Sequence, residues 1–239
     1  MKKFILLPAI ICSLFFFSNC DETDCEQGIG EIGNLNPELT AFHSVVIDGS
    51  FAVNLKQSPV AAVNIAGPNN LLEFITATIV DQTLTITSQK CFENSGDVIA
   101  DIELPELQSL ILNGSADIIS ENTLSTTNFK VNLNGTGDIK LIVENEAIDV
   151  MIDGSGEIEL LGTTLVQDVA ISGTGTYLGC GLDSNQIFVN IEGNGDANFG
   201  MSSEINAIID GSGKVNYDGN PVINSTLTGS GDIVFKECF

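Results

Sequence analysis

Residues 147–160 read AIDVMIDGSGEIEL. Ile148, Val150 and Ile152 alternate with mainly polar neighbours up to Gly154-Ser155-Gly156. Ile158 and Leu160 then resume the alternation on the same even count. A period of two is that of an extended strand with one buried face, so the stretch predicts strand, corner, strand. The same pattern recurs around Asn113-Gly114-Ser115-Ala116-Asp117, Asn134-Gly135-Thr136-Gly137-Asp138 and Ser172-Gly173-Thr174-Gly175-Thr176. It continues at Glu192-Gly193-Asn194-Gly195-Asp196, Asp210-Gly211-Ser212-Gly213-Lys214 and Thr228-Gly229-Ser230-Gly231-Asp232. The first glycines of the seven copies are spaced 21, 19, 19, 20, 18 and 18 residues apart.

Aligned on that glycine, Leu112, Leu133, Ile152, Ile171, Ile191, Ile209 and Leu227 stand two residues before it. Ile118, Ile139, Ile158, Tyr177, Ala197, Val215 and Ile233 stand four after it. Six before it are Phe129, Ile148, Ile187, Ile205 and Ile223, with Gln167 the exception. The odd positions are mostly Asn, Asp, Ser, Thr and Lys, which suits a wet face. One such unit cannot bury its apolar face alone, so neighbouring units must stack and like residues must form columns. The fold expected is all-β: a parallel β-helix or β-roll-like solenoid of about seven regular Gly-x-Gly coils, right-handed by the crossover rule. Both glycine columns share the parity of the core residues. Gly135, Gly137, Gly154, Gly156, Gly173, Gly175, Gly193, Gly195, Gly211, Gly213, Gly229 and Gly231 are therefore expected to point inward at corners where no side chain fits.

Working outward, residues 106–239 carry the regular repeats and residues 38–105 read as irregular first coils of the same solenoid. In that half Phe51, Val53 and Leu55 alternate, as do Leu84 with Ile86 and Ile102 with Leu104. Leu71 to Val80 fits a short helix or a long strand. Residues 20–37 are expected to be a linker. Residues 1–19 have the order of a secretory signal: Lys2 and Lys3, then an apolar run from Phe4 to Phe17 too short to be read as a membrane span. Ser18-Asn19-Cys20 resembles the lipobox of bacterial lipoproteins, with Cys20 the acylated residue, so the lipid is the expected link to the membrane. Asp21-Glu22-Thr23-Asp24 reads either as a solvated linker or as an acidic signal for the outer face of the outer membrane.

The chain of 239 residues holds 8 Lys, no Arg and 32 acids, for a net charge of −24. Loss of residues 1–19 would deepen the charge to −26, since two lysines and no acid leave with them. Phosphate contacts need cations, so nucleic acid is excluded as an expected partner. Once Cys12 and Cys20 are set aside, Cys25, Cys91, Cys180 and Cys238 remain, an even set in an exported protein that suggests disulfides. Cys180 and Cys238 lie three corners apart, about 14 Å at a strand spacing of ~4.8 Å. A bridge needs Cα atoms within ~7 Å, so Cys25–Cys91 is the pairing expected and Cys180–Cys238 is not.

The column three residues after the first glycine holds Asp117, Asp138, Glu157, Thr176, Asp196, Lys214 and Asp232. Asp117, Asp138 and Glu157 are weak Ca²⁺ candidates, because stacked carboxylates supply oxygen ligands. Asp chemistry at turns explains the column better, and neither a metal nor a cofactor is expected. Enzyme readings find little support. A uronate lyase would need cations that the chain lacks. A hydrolase would need two carboxylates, and Asp101 with Glu103, or Asp149 with Asp153, are pairs that 32 acids produce by chance. The absence of Trp and the presence of only two Tyr argue against a sugar-stacking platform. His43 reads as an edge residue. Phosphate-loop spacing fails, because after Gly173-x-Gly175 the next glycine is Gly179.

One family resemblance can be drawn on these motifs. The opening Phe42…Val45-x-Ile47-x-Gly49-x-Phe51-x-Val53-x-Leu55, then Asp81-Gln82-x-Leu84-x-Ile86, the Gly-Ser/Thr-Gly-Asp corners and Tyr217-x-Gly219-x-Pro221 resemble the head GIN domain family over residues 38–239. That resemblance implies a β-helical exported lipoprotein under the label of auto-transporter adhesin. No barrel-forming domain or coiled-coil stalk accompanies it here. The reading is a cell-envelope lipoprotein with a non-catalytic solenoid that acts in surface adhesion, binding or scaffolding, its ligand a protein or glycan. The alternative is a β-helix hydrolase using paired carboxylates.

Overall fold

A computed structural model describes residues 25–238. Cys20 and the signal segment lie outside the described residues. The chain begins with β1 (Ile32–Leu35), β2 (Ser44–Gly49), β3 (Ala52–Gln57), β4 (Ala62–Pro68) and the one-turn helix α1 (Asn69–Leu72). Next come β5 (Ile75–Val80), β6 (Thr83–Ser88), β7 (Ile99–Leu104), β8 (Ser109–Gly114), β9 (Asp117–Ser120) and the short β10 (Leu124–Ser125). The regular repeats supply β11 (Asn128–Gly135), β12 (Asp138–Glu144), β13 (Ala147–Gly154), β14 (Glu157–Thr163), β15 (Val166–Gly173) and β16 (Thr176–Asp183). They end with β17 (Gln186–Gly193), β18 (Asp196–Phe199), β19 (Glu204–Gly211), β20 (Lys214–Tyr217), β21 (Val222–Gly229) and β22 (Asp232–Phe235).

Each repeat contributes one strand to each of two sheets. The first sheet runs β21-β19-β17-β15-β13-β11-β8-β2-β6-β5, and the second β1-β4-β7-β3-β9-β12-β14-β16-β18-β20-β22. From β2 and β3 onward the coils pair in parallel, with like positions in register: Gly135 opposite Gly154, Gly154 opposite Gly173, Ile152 opposite Ile171. This is the solenoid the repeat predicts. The even-parity columns form its core, with Val150, Ile152, Ile158, Leu160, Val169 and Tyr177 among the fully buried residues.

The first half of the chain follows a different order from simple succession. The coil β2–β3 is laid down first, and β6–β7 then stacks on its outer side while β8–β9 stacks on its inner side. Beyond β6–β7 the chain closes the end with antiparallel strands: β5 on β6, β4 on β7, and β1 on β4. Asp81 and Gln82 turn the β5–β6 hairpin with φ of 48° and 61°. These are the paired left-handed values of the tight turn that matches strand twist. Leu71 of α1, Ile75, Phe92 and Val98 are all buried under this cap. The Cys25–Cys91 bridge, with Cα atoms 4.7 Å apart, ties its N-terminal strap down.

The exception at Gln167 has a physical reason. Its amide is fully buried, and Tyr177 opposite it donates its hydroxyl to Gln167 Oε1 at 2.7 Å. Gln167 Nε2 in turn donates to Ser184 Oγ at 2.9 Å and to the Leu182 carbonyl. Buried polar atoms are tolerated when they satisfy one another. Burial pushes the Tyr177 phenol well above its ordinary pKa, so it stays a donor.

Candidate functional site

The two glycine columns serve different purposes. The first glycines have φ between +109° and +157° from Gly49 to Gly229, a region that L side chains rarely adopt. A Cβ on any of them after Gly114 would also strike the carbonyl of the corner glycine one coil earlier. They therefore aim along the stacking axis rather than into the core, and most are partly exposed. The second glycines from Gly137 to Gly213 are buried, and Gly231 in the last coil is partly covered. A Cβ on Gly156 would meet the Gly137 carbonyl and lie 2.7 Å from Leu133 Cδ2, and on Gly175 it would strike Ile152. These are the inward positions.

The carboxylate column is real as a column. Asp117, Asp138, Glu157, Thr176, Asp196, Lys214 and Asp232 stand opposite one another in successive strands of the second sheet. Its chemistry is that of turns and crowded like charges. Asp196 accepts from the Lys214 backbone N–H at 3.0 Å, and Asp232 accepts from the Ile233 N–H. Partial burial, then Asp138 and Glu159, raise the pKa of Glu157. Among the described residues no group of three or more His, Cys, Asp or Glu is arranged to hold a metal.

The carboxylate pairs are occupied or far apart. Asn54 donates to Asp101 at 2.8 Å, and Lys56 reaches Glu103 at 3.4 Å. Hydrogen bonds from Ser58 and Lys56 hold the Glu103 carboxyl below its usual range. Asp149 pairs with Lys130 at 3.4 Å. Asp153 lies four residues along the same strand, about 13 Å away at ~3.3 Å per residue, beyond the ~5–9.5 Å span of hydrolase carboxyl pairs. His43 Nδ1 lies 3.1 Å from Ser44 Oγ, one residue before β2.

The bridge ruled out by the coil count is present. Cys180 and Cys238 are joined, with Cα atoms 5.6 Å apart. The stacking register stands; the error lay in placing Cys238 within the last coil. The later coils are shorter: β14 and β16 span 7 and 8 residues, while β18, β20 and β22 span 4 each. Their shortness leaves a ledge beside β16, and the tail beyond Phe235 turns back across it. Lys236 N–H donates to the Tyr217 carbonyl at 2.8 Å, and Cys238 N–H to Asp218 Oδ2 at 3.1 Å. Cys238 Sγ lies 3.4 Å from the Phe199 carbonyl, one coil short of Cys180. A bulge in β16 between Leu178 and Gly181, opposite Glu159–Leu161, helps by turning Cys180 outward.

Sequence parity alone passed over the outer face of the first sheet. Val46, Ile111, Asn132, Met151, Ala170, Asn190, Ile208 and Thr226 form one column there, strand after strand. Met151 and Ile208 are 39% and 54% exposed, and Phe188 in the adjoining column is 40% exposed. Phe188 and Ile208 line a shallow depression of about 540 Å³ with Asp168, Asn190, Asn206 and Asn224. Partial burial and then Asp149 raise the pKa of Asp168. The signal was available, since these apolar residues occupy odd positions where the repeat is otherwise polar.

A two-sheet solenoid with glycine corners and a partly apolar outer face defines a class of repetitive β-solenoid scaffold. The chain belongs to the family described as "Putative auto-transporter adhesin, head GIN domain", whose profile matches residues 41–221. No curated protein matches it. Among solved structures, a "putative adhesin" of Bacteroides fragilis superposes with a TM-score of 0.82 at 22% identity over 88% of this chain and 100% of that one. A "putative lipid binding protein" of Parabacteroides distasonis gives 0.73 at 20% identity over 89% and 99%. A "putative adhesin" of Parabacteroides merdae gives 0.70 at 20% identity over 89% and 99%. At these identities the likeness is one of fold.

Proposed function

We propose that the protein is a cell-envelope lipoprotein, anchored by acylated Cys20, that acts as a non-catalytic binding module. Its ligand is a protein that docks on the outer face of the first sheet. The observation that carries the reading is the pair of exposed apolar residues Phe188 and Ile208 on adjacent strands, with Met151 exposed on the same face two strands away. Exposed apolar surface on an otherwise acidic protein marks interaction sites. Membership in an adhesin-like family supports the same direction. The engaged or distant carboxylate pairs offer no ready acid–base site, which supports a binding role over hydrolysis.

Two measurements test this. Fractionation of cells expressing Cys20→Ala should move the protein from the membrane to the soluble exported fraction; retention in the membrane refutes the anchor. Binding of the purified protein to immobilised extracellular-matrix proteins should fall at least tenfold in Phe188→Asp/Ile208→Lys, while Ile142→Lys on the opposite sheet leaves it unchanged. Equal loss in both variants, or turnover of a polysaccharide, refutes the face or the binding role.

A further inference from the structure

The two ends of the solenoid are built differently. One is covered by antiparallel strands, a helix and a disulfide. Among the described residues, the other stops at β21 and β22 with the core columns still running. Leu227 is 47% exposed and Phe235 54%, and Ile223 and Ile233 are only partly covered. All four belong to core parity; Ile209, Ile205 and Val215, the earlier counterparts of Leu227, Ile223 and Ile233, are buried, and Tyr217 opposite Phe235 is partly buried. The tail does not close this end, because the Cys180–Cys238 bridge holds it against the flank of the second sheet. Solenoids need their last apolar coil covered, and an open strand edge is a template for pairing.

We infer that this end is covered by the same end of a second copy, in a two-fold dimer with β21 antiparallel to its mate. Three observations select that occupant. First, residues 222–235 contain one charged residue, Asp232, in a chain with 32 acids and 8 lysines. The edge lacks the charges that usually guard exposed strands. Second, the end presents two edges at once, one per sheet, with core between them. A lone peptide strand covers one of them; another solenoid end covers both.

Third, β21 is self-complementary. Val222 N–H donates to the Ser203 carbonyl of the preceding coil. In a parallel strand the backbone groups of successive residues point to alternate sides, so Ile223, Ser225 and Leu227 aim theirs at the open side. An axis through Ser225 sets Ile223 opposite the mate's Leu227 and Ser225 opposite itself. All three then exchange backbone hydrogen bonds while the apolar residues meet on the core side. Ile233 stands four residues after Gly229, as Ser225 stands four before it, so the same axis leaves beside Ile233. Such a contact is isologous and closes at two copies.

The register gives a sharp test. Ser225→Cys should yield a disulfide-linked dimer on mild oxidation of the expressing cells, seen on a non-reducing gel against the unsubstituted chain. Thr78→Cys, on the exposed β5 edge at the capped end, should not. Adding Leu227→Lys to Ser225→Cys should abolish the dimer band. Leu227 is half exposed, and an unchanged thermal melt of Leu227→Lys verifies that the fold is intact. No dimer band from Ser225→Cys, an equal band from Thr78→Cys, persistence of the band with Leu227→Lys, or a ladder of higher species would each overturn the inference.

Discussion

Gly156→Val puts a branched side chain into a corner that stacking has already filled. The Cβ alone would overlap the Gly137 carbonyl and come within 2.7 Å of Leu133 Cδ2. The carbonyl cannot swing aside freely, because it accepts the Glu157 N–H at 3.2 Å and so belongs to the coil-to-coil ladder. Leu133 is fully buried. Overpacking of a well-packed core costs ~1–3 kcal/mol, and obstruction on two sides places this site at about 3 kcal/mol. For a domain of this size ~1 kcal/mol moves the thermal midpoint by about 2–4 °C, so a fall of roughly 6–12 °C is expected. Ser155→Val is the control: its side chain is exposed, and surface changes stay within about 0.5 kcal/mol. Calorimetric or circular-dichroism melts of the two variants decide the matter. Equal midpoints would refute the argument that the second glycine is required by inward packing.

Cys180→Ser/Cys238→Ser removes a cross-link spanning 58 residues. The chain-entropy model assigns it about 4 kcal/mol, so the oxidised protein should lose more than 8 °C in its melt, and an unchanged melt would show that the bridge constrains nothing. Glu157→Gln tests the crowded column. The folded pKa of Glu157 lies above 4.5, so the folded state binds the extra proton and stability is lost as pH rises from the unfolded value through the folded one. The Gln variant should therefore melt higher than the parent at pH 7 and equally at about pH 3.5; a lower melt at pH 7 would mean the carboxylate is stabilising.

Much of the fold was legible because its physics is periodic. A strand with one wet face writes its period of two into the chain. Stacking then writes the coil length as the distance between Gly114, Gly135, Gly154 and their successors. The first glycines needed one further step. Parity suggested that Gly154 points inward, whereas its φ of +139° turns the Cβ direction toward the neighbouring coil. Parity arguments assume β-region dihedrals, and a corner is where that assumption ends. The cap was less legible for a related reason. Its strands β4 and β5 pair antiparallel outside the repeat, and only Asp81-Gln82, with no glycine, marks the hairpin.

The Cys180–Cys238 bridge shows where counting coils stops being a distance. Multiplying three corners by the strand spacing holds for residues that occupy equivalent positions in the coils. Neither cysteine does: Cys180 lies in the β16 bulge, and Cys238 lies on the tail beyond β22. The spacing of the first glycines falls from 20 residues to 18 in the last two coils, and the missing residues come from the strands of the second sheet. Each shortened strand withdraws its end from the flank, so the chain leaving Phe235 finds acceptors in the Tyr217 carbonyl and the Asp218 carboxylate. The tail runs along the solenoid axis: three residues reach about 10–11 Å, and the 5.6 Å between the bridged Cα atoms makes up the rest of the way to Cys180. That fold-back keeps the tail off the open face of β21 and β22. The device that locks the last coils together is also the one that leaves Ile223, Leu227 and Phe235 without cover from the other described residues.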